Sequence, residues 1–247
     1  MTGDVRGYPA GAPCWVDLTT PDTAAAAAFY GGLFGWDLAN AMPEGAPDEY
    51  LIATLRGRDA AAIAPGPDAA WATYIACDDV DATAAAVVEA RGTLVEPPAD
   101  AGPGGRLAVC EDPQGAPFRL WQARAREGAQ VMDVPGAWSL SDLHAPDPAA
   151  ARRFYRTVFG WQVDEHRGAG VFRLPGPDDV VAGFSPSDEN ARWWVRFAVA
   201  DRDAAAARAE ELGGRVLSST DAAEARDAVV ADPQGAVFQI REVVAVQ

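Results

Sequence analysis

Cysteine and histidine are both scarce in this chain. The three cysteines, Cys14, Cys77 and Cys110, are odd in number, unclustered and set in periodic apolar segments. They read as buried free thiols, since 247 residues supply a core without a disulfide scaffold. Only His144 and His166 offer imidazole, which restricts any metal centre built on that ligand. No apolar run approaches the roughly 18 residues of a membrane span. The opening MTGDVRGYPAGAP has neither the basic region nor the apolar stretch of a signal peptide, so a cytoplasmic location without a membrane partner is expected. Basic residues are outnumbered, 20 against 36 acidic ones, and the net charge of −16 is spread along the chain. Such a field repels phosphate backbones and argues against a nucleic-acid partner. It does not by itself imply a cationic ligand, because an acidic surface also serves solubility. Glycine never falls as GxGxxG after a strand or as GxxxxGK[ST], so dinucleotide and P-loop sites have no local support.

What the chain does have is a repeat. FYGGLFGW at 29–36 returns as FYRTVFGW at 154–161, each introduced by Pro-Asp, at Pro21-Asp22 and Pro146-Asp147. DPQGAPFRL at 112–120 returns as DPQGAVFQI at 232–240. Blocks kept in order imply a duplicated module of about 120 residues. The expected domains are 10–123 and 136–244, with the polar stretch 123–135 as linker.

Each copy reads as strand–helix–strands followed by strand–helix–strands. Cys14–Thr20 alternates as a strand. Asp22 or Thr23 then caps a helix rich in alanine, with Phe29 and Leu33 on its buried face and Gly35 at its end. Leu140–Ala145, Asp147, Phe154 and Val158 replay this, with Pro148 in the first helical turn. Strands near Trp71–Cys77 and Trp193–Ala200 lead into second helices, which Gly92 and Gly213-Gly214 close. The DPQG segments, with Gln114 and Gln234, read as tight turns before the last strands. Phe29-Tyr30, Phe154-Tyr155, Trp36 and Trp161 read as core anchors.

With these two blocks in this order, the chain resembles the vicinal oxygen chelate superfamily of glyoxalases, bleomycin-resistance proteins and extradiol dioxygenases. The resemblance covers nearly all of both repeats. It implies an α+β fold of tandem glyoxalase-like domains, each made of paired βαβββ modules whose mixed sheet curves into a cup. It also implies metal-ligand positions, which fall at Trp15, near Ala72 and at Arg119 in the first domain. In the second they fall at Leu140, near Trp194 and at Gln239. No family metal triad is preserved, and no metal or other cofactor is expected.

Strand alternation groups side chains by face, and the resemblance implies which face lines the cup. In the first domain Trp15 and Asp17 share a face, as do Arg119 and Trp121, and Tyr74 projects from the middle strand. They make either a ligand pocket or a packed core holding a structural Asp17–Arg119 pair. In the second domain Asp142 and His144 share a face, with Trp194, Arg196, Gln239 and Arg241. There His144 could act as acid or base, Asp142 adjusting its state and Arg196 stabilising an anion. Alternatively His144 caps the turn at Pro146-Asp147. His166, in DEHRG, reads as an exposed loop residue. The favoured function is metal-independent binding or sequestration of a small organic metabolite or drug. The alternative is a small-molecule lyase or isomerase using His144 and Arg196. A monomer is slightly favoured.

Overall fold

The computed structural model describes residues 7–166, 169–176, 180–222 and 225–243. Its first half runs β1 (Pro13–Thr20), α1 (Thr23–Phe34), β2 (Asp37–Asn40), β3 (Leu51–Leu55) and β4 (Arg58–Pro65). It continues through β5 (Ala70–Ala76), α2 (Val80–Glu89), β6 (Thr93–Ala101), β7 (Gly105–Glu111) and β8 (Pro117–Ala123). The second half repeats the series with β9 (Trp138–Ala145), α3 (Pro148–Phe159), β10 (Gln162–His166), β11 (Ala169–Arg173) and β12 (Val180–Pro186). It ends with β13 (Arg192–Val199), α4 (Arg202–Glu211), β14 (Arg215–Ala222), β15 (Ala225–Ala231) and β16 (Val237–Glu242). Among the described residues no helix is long and apolar enough to cross a membrane.

Each half forms one eight-stranded sheet, in the order β2-β3-β4-β1-β5-β8-β7-β6 and β10-β11-β12-β9-β13-β16-β15-β14. Within a module the first and last strands pair in parallel, as β1 with β4 and β5 with β8. The two modules join antiparallel through β1 and β5, or β9 and β13. This is the paired βαβββ architecture implied by the family resemblance. An aspartate starts every helix by accepting backbone N–H bonds: Asp22 from Ala25 at 2.9 Å and Asp147 from Ala150 at 2.9 Å, with Asp79 and Asp201 alike. Gly35 and Gly160 end α1 and α3 in the left-handed region, at φ 73° and 72°.

The two sheets pack on their helix-bearing faces. At the centre Thr73 Oγ1 donates to Ser141 Oγ at 2.8 Å. Two buried clusters flank this point, and both cross the domain boundary. One joins Phe29, Tyr30, Phe34 and Trp36 to Phe197 and Phe238. The other joins Phe118 and Val87 to Phe154, Tyr155 and Trp161. The repeated aromatic residues are therefore core anchors, as expected, but of a core shared between domains. Removing one of these rings costs about 3–5 kcal/mol.

The repeated blocks recognise each other across that boundary. The Tyr30 hydroxyl donates to Asp232 at 3.1 Å and the Tyr155 hydroxyl to Asp112 at 3.3 Å. Trp36 Nε1 donates to the carbonyl of Gly136 at 2.7 Å, and Trp161 Nε1 to that of Gly11 at 2.8 Å. Gln114 Nε2 bonds the Asp147 carbonyl at 3.0 Å, and Gln234 Nε2 that of Asp22 at 3.3 Å. Gln114 and Gln234 thus do more than complete turns: each reaches the helix start of the other domain. Gly92 and Gly214 have a comparable role. A Cβ there would lie 3.0 Å from the Phe154 ring or 2.9 Å from the Phe29 ring, so each glycine admits the other domain's phenylalanine. Chain reversal after α2 falls to Arg91, at φ 70°, and not to Gly92.

Residues 123–135 connect the sheets, and part of the segment packs against the first. Ala129 and Val131 are buried, and the Ala129 and Gln130 amides bond the carbonyls of Cys14 and Asp59. Their backbone partners lie in the first domain, which draws the segment down onto it. His166 is the last residue of β10 and not a loop residue. Residue 244, the expected end of the second domain, lies outside the described residues.

Candidate functional site

The face of each sheet opposite the helices carries the expected site residues. In the first domain β1, β5 and β8 lie side by side, with Trp15 opposite Tyr74, Asp17 opposite Ala72 and Tyr74 opposite Arg119. This register gathers one polar knot. Arg119 Nη1 lies 2.7 Å from both carboxylate oxygens of Asp17 and donates to the Tyr74 hydroxyl at 2.5 Å. Tyr74 donates to Asp17 at 2.5 Å. Tyr50, immediately before β3, donates to Asp17 at 3.3 Å and accepts from Trp15 Nε1 at 3.0 Å. Asp17 is 1% exposed, so its charge is held by these partners and not by water. Burial and the nearby Asp17 charge push the Tyr74 and Tyr50 hydroxyls up, keeping both phenols protonated. Burial opposes the Arg119 charge, but Asp17 and Tyr74 outweigh it and raise its pKa.

Above this knot lies a cavity of about 1000 Å³. Trp15, Tyr50, Tyr74, Leu107 and Trp121 form its inner walls. The β2–β3 connection supplies Met42, Asp48 and Glu49 nearer the mouth. Arg126 and Gly128, from the linker segment, complete it. Among the described residues, none of the lining comes from the second domain. Strand alternation indicated Trp15, Asp17, Tyr74, Arg119 and Trp121. It missed Tyr50, Leu107 and Arg126, for which the only cue was that residues 41–50 separate β2 from β3, whereas residues 167 and 168 alone separate β10 from β11.

The second cup is built in the same register from different side chains. Asp142 lies opposite Trp194, and Arg196 opposite Gln239. Arg196 is ion-paired with Asp142 and donates to Gln239 Oε1 at 3.3 Å. Arg241 holds Asp227 through two bonds of 2.5 and 2.6 Å. Burial pushes Asp142 up and Arg196 down, each against the attraction of its partner. The His144 ring lies against Trp194 with centroids 4.3 Å apart, and the Arg192 guanidinium sits 5.0 Å from the Trp194 ring. Burial, then the charges of Arg192 and Arg196, lower the His144 pKa to about 4, so its imidazole is neutral at neutral pH. Asp142 accepts its hydrogen bond from Arg196, and the Ala150 N–H at the start of α3 donates to Asp147. His144 therefore neither takes its protonation state from Asp142 nor caps the turn.

The metal positions implied by the resemblance can be tested on these residues. Trp15, Ala72 and Arg119 offer no donor in the first cup; Leu140, Trp194 and Gln239 offer one amide in the second. Both oxygens of Asp17 are engaged by Arg119, and those of Asp227 by Arg241. Among the described residues no three His, Cys, Asp or Glu side chains stand together as a metal-binding group. This donor set does not fit a divalent cation in either cup.

Residues 14–120 match the Glyoxalase/Bleomycin resistance protein/Dioxygenase superfamily, and residues 140–241 match a glyoxalase-like domain. The chain is 39% identical to "Putative glyoxylase CFP32" of Mycobacterium tuberculosis, over 94% of this chain and 95% of that protein. It is 36% identical to the anthracycline biosynthesis protein DnrV of Streptomyces peucetius, over 94% of this chain and 93% of DnrV. In fold it is similar to the Mn(II)-bound glyoxalase of Novosphingobium aromaticivorans, with a TM-score of 0.67 and 19% identity across 94% of this chain and 82% of that one. The 2,3-dioxygenase LapB of Pseudomonas sp. KL28 also matches at a TM-score of 0.67, with 12% identity over 95% and 93% of the two chains. Repeat, topology and relatives agree: the chain belongs to the glyoxalase/bleomycin resistance/dioxygenase superfamily, as a tandem of two glyoxalase-like domains.

Proposed function

We propose that the first cup binds a drug-sized organic molecule and sequesters it without a family-type metal centre. The observation carrying this reading is the cavity of about 1000 Å³, walled by Trp15, Tyr50, Tyr74 and Trp121 over a self-neutralised Asp17–Arg119 pair. Its size and apolar lining suit burial of most of a ligand's surface. A relative named for anthracycline biosynthesis supports a ligand of that size. The second cup, crossed by the Asp142–Arg196 and Asp227–Arg241 pairs, serves as a structural counterpart.

The alternative, a lyase or isomerase with His144 as acid or base and Arg196 as stabiliser, is less well supported. A proton-transfer group works best with a pKa near the working pH, and that of His144 is far below it. Arg196, already committed to Asp142 and Gln239, has less to offer a developing anion. A thermal-shift screen of metabolites and antibiotics, combined with elemental analysis of the gently purified protein, tests the proposal. The expected result is saturable stabilisation by a ligand that is recovered unchanged. Stoichiometric Zn, Ni or Fe located in either cup, or conversion of the bound compound, would overturn it.

A further inference from the structure

The cavity walls of the first cup are aromatic, and their polar tips are already used. Trp15 Nε1 is bonded to Tyr50, the Tyr50 and Tyr74 hydroxyls to Asp17, and Trp121 Nε1 to the Arg126 carbonyl at 2.9 Å. Tyr74 also accepts from Arg119, so its oxygen both gives and receives a hydrogen bond. A molecule entering the cup therefore meets aromatic side chains whose own polar atoms are already bonded within the protein. Gly105 maintains this arrangement: a Cβ there would lie 2.7 Å from the Trp121 ring, so the space is given to the indole.

The mouth is different. Among its charged lining residues, Arg126 is tied to Asp59, and Asp100 to Arg124 and Arg106. Glu49 bonds only the Thr23 hydroxyl, and Asp48 is exposed. Neither of these last two carboxylates is ion-paired among the described residues, and both sit on the 41–50 connection that the second domain lacks.

We infer that the first cup selects a fused-ring aromatic molecule bearing a basic amine, rings inward against Trp15, Tyr74 and Trp121, amine outward against Asp48 and Glu49. This rests on the reading of the cavity as a binding site. Aromatic contact supplies apolar attraction for the rings, and the two carboxylates favour a cation beside them. A ligand that needed hydrogen bonds at its inner end would lose its water there without replacement.

The test uses the full chain and three probes: 9-(aminomethyl)anthracene, its neutral N-acetyl derivative, and benzylamine. Binding is read as quenching of tryptophan fluorescence. The amine is expected to bind several-fold more tightly than its acetamide, and the advantage should shrink as salt is added. Benzylamine, with one ring, should bind at least about tenfold more weakly than the anthracene amine. In Asp48→Asn/Glu49→Gln, checked for folding by circular dichroism, the advantage of the amine over its acetamide should be lost. Equal binding of amine and acetamide would overturn the inference and leave the binding site standing. Absence of saturable quenching by either anthracene would remove both.

Discussion

The two cups solve the same electrostatic problem with different strands. Asp17 and Asp142 occupy equivalent places on β1 and β9, both buried. Asp17 takes its cation from Arg119 on β8, across the Tyr74 hydroxyl. Asp142 takes its cation from Arg196 on β13, the place Tyr74 holds in the first sheet, while Gln239 stands where Arg119 would be. The next layer diverges further. Trp121 and Leu107 face each other in the first cup, and Arg241 and Asp227 in the second. Moving the guanidinium to the last strand leaves the first cup an aromatic wall and room above it. Placing it on the middle strand, with a second ion pair beside it, lines the other cup with the protein's own charges. A buried carboxylate constrains the charge that must accompany it, but not where that charge comes from, and its origin decides what each cup presents.

The comparison breaks most severely if the first pair is halved. Arg119→Gln leaves Asp17 buried and unpaired, and chemical denaturation should register a loss of about 3–5 kcal/mol. Adding Tyr74→Arg recreates the arrangement of the second cup and should recover a substantial part of that loss. If it recovers nothing, the two layouts are not interchangeable solutions. A smaller effect is expected from exchanging the second layer. Leu107→Asp/Trp121→Arg should keep the fold but weaken 9-(aminomethyl)anthracene by roughly tenfold or more, as an aromatic wall is replaced by a hydrated pair. Undiminished quenching of the remaining tryptophans would show that the wall does not contribute.

The smallest effect concerns pH and the second cup. The unfolded His144 imidazole takes up a proton near about 6.5, whereas in the folded chain burial and Arg192 and Arg196 delay this to about 4. The unfolded state thus binds more protons within that window. The stability contributed by the neutral ring is present above it and is lost as pH falls through it. Buried Asp142 works in the opposite sense, its contribution being lost as pH rises through its elevated folded value. Subtracting the Tm profile of His144→Gln from that of the parent between about pH 7 and about pH 4.5 isolates the imidazole. The variant should lose less on acidification; parallel profiles would mean that His144 titrates as if solvated.

Much of this site was legible because strand alternation is a short-range rule. Once β1, β5 and β8 are recognised, Trp15 and Asp17, Tyr74, and Arg119 and Trp121 must share a face. Tyr50, Leu107 and Arg126 were not legible, because each joins the cavity through a connection or neighbouring strand whose path no period encodes. Reading Gln114 and Gln234 as turn residues was incomplete for the same reason: their partners, the carbonyls of Asp147 and Asp22, lie in the other repeat.

By itself, then, the amino-acid sequence determined the duplication, the strand–helix–strands order of each half, the aspartate-capped helices and which side chains of a strand share a face. These follow from local propensity, capping and period; the paired βαβββ modules and the cup were implied by the family resemblance. Only the tertiary structure decided that the repeated FY and DPQG blocks clasp each other across the domain boundary, that residues 124–131 fold back onto the first sheet, and that one cup holds a cavity of about 1000 Å³. Those outcomes depend on which buried charge finds which partner at long range, and on whose side chains fill the space that remains.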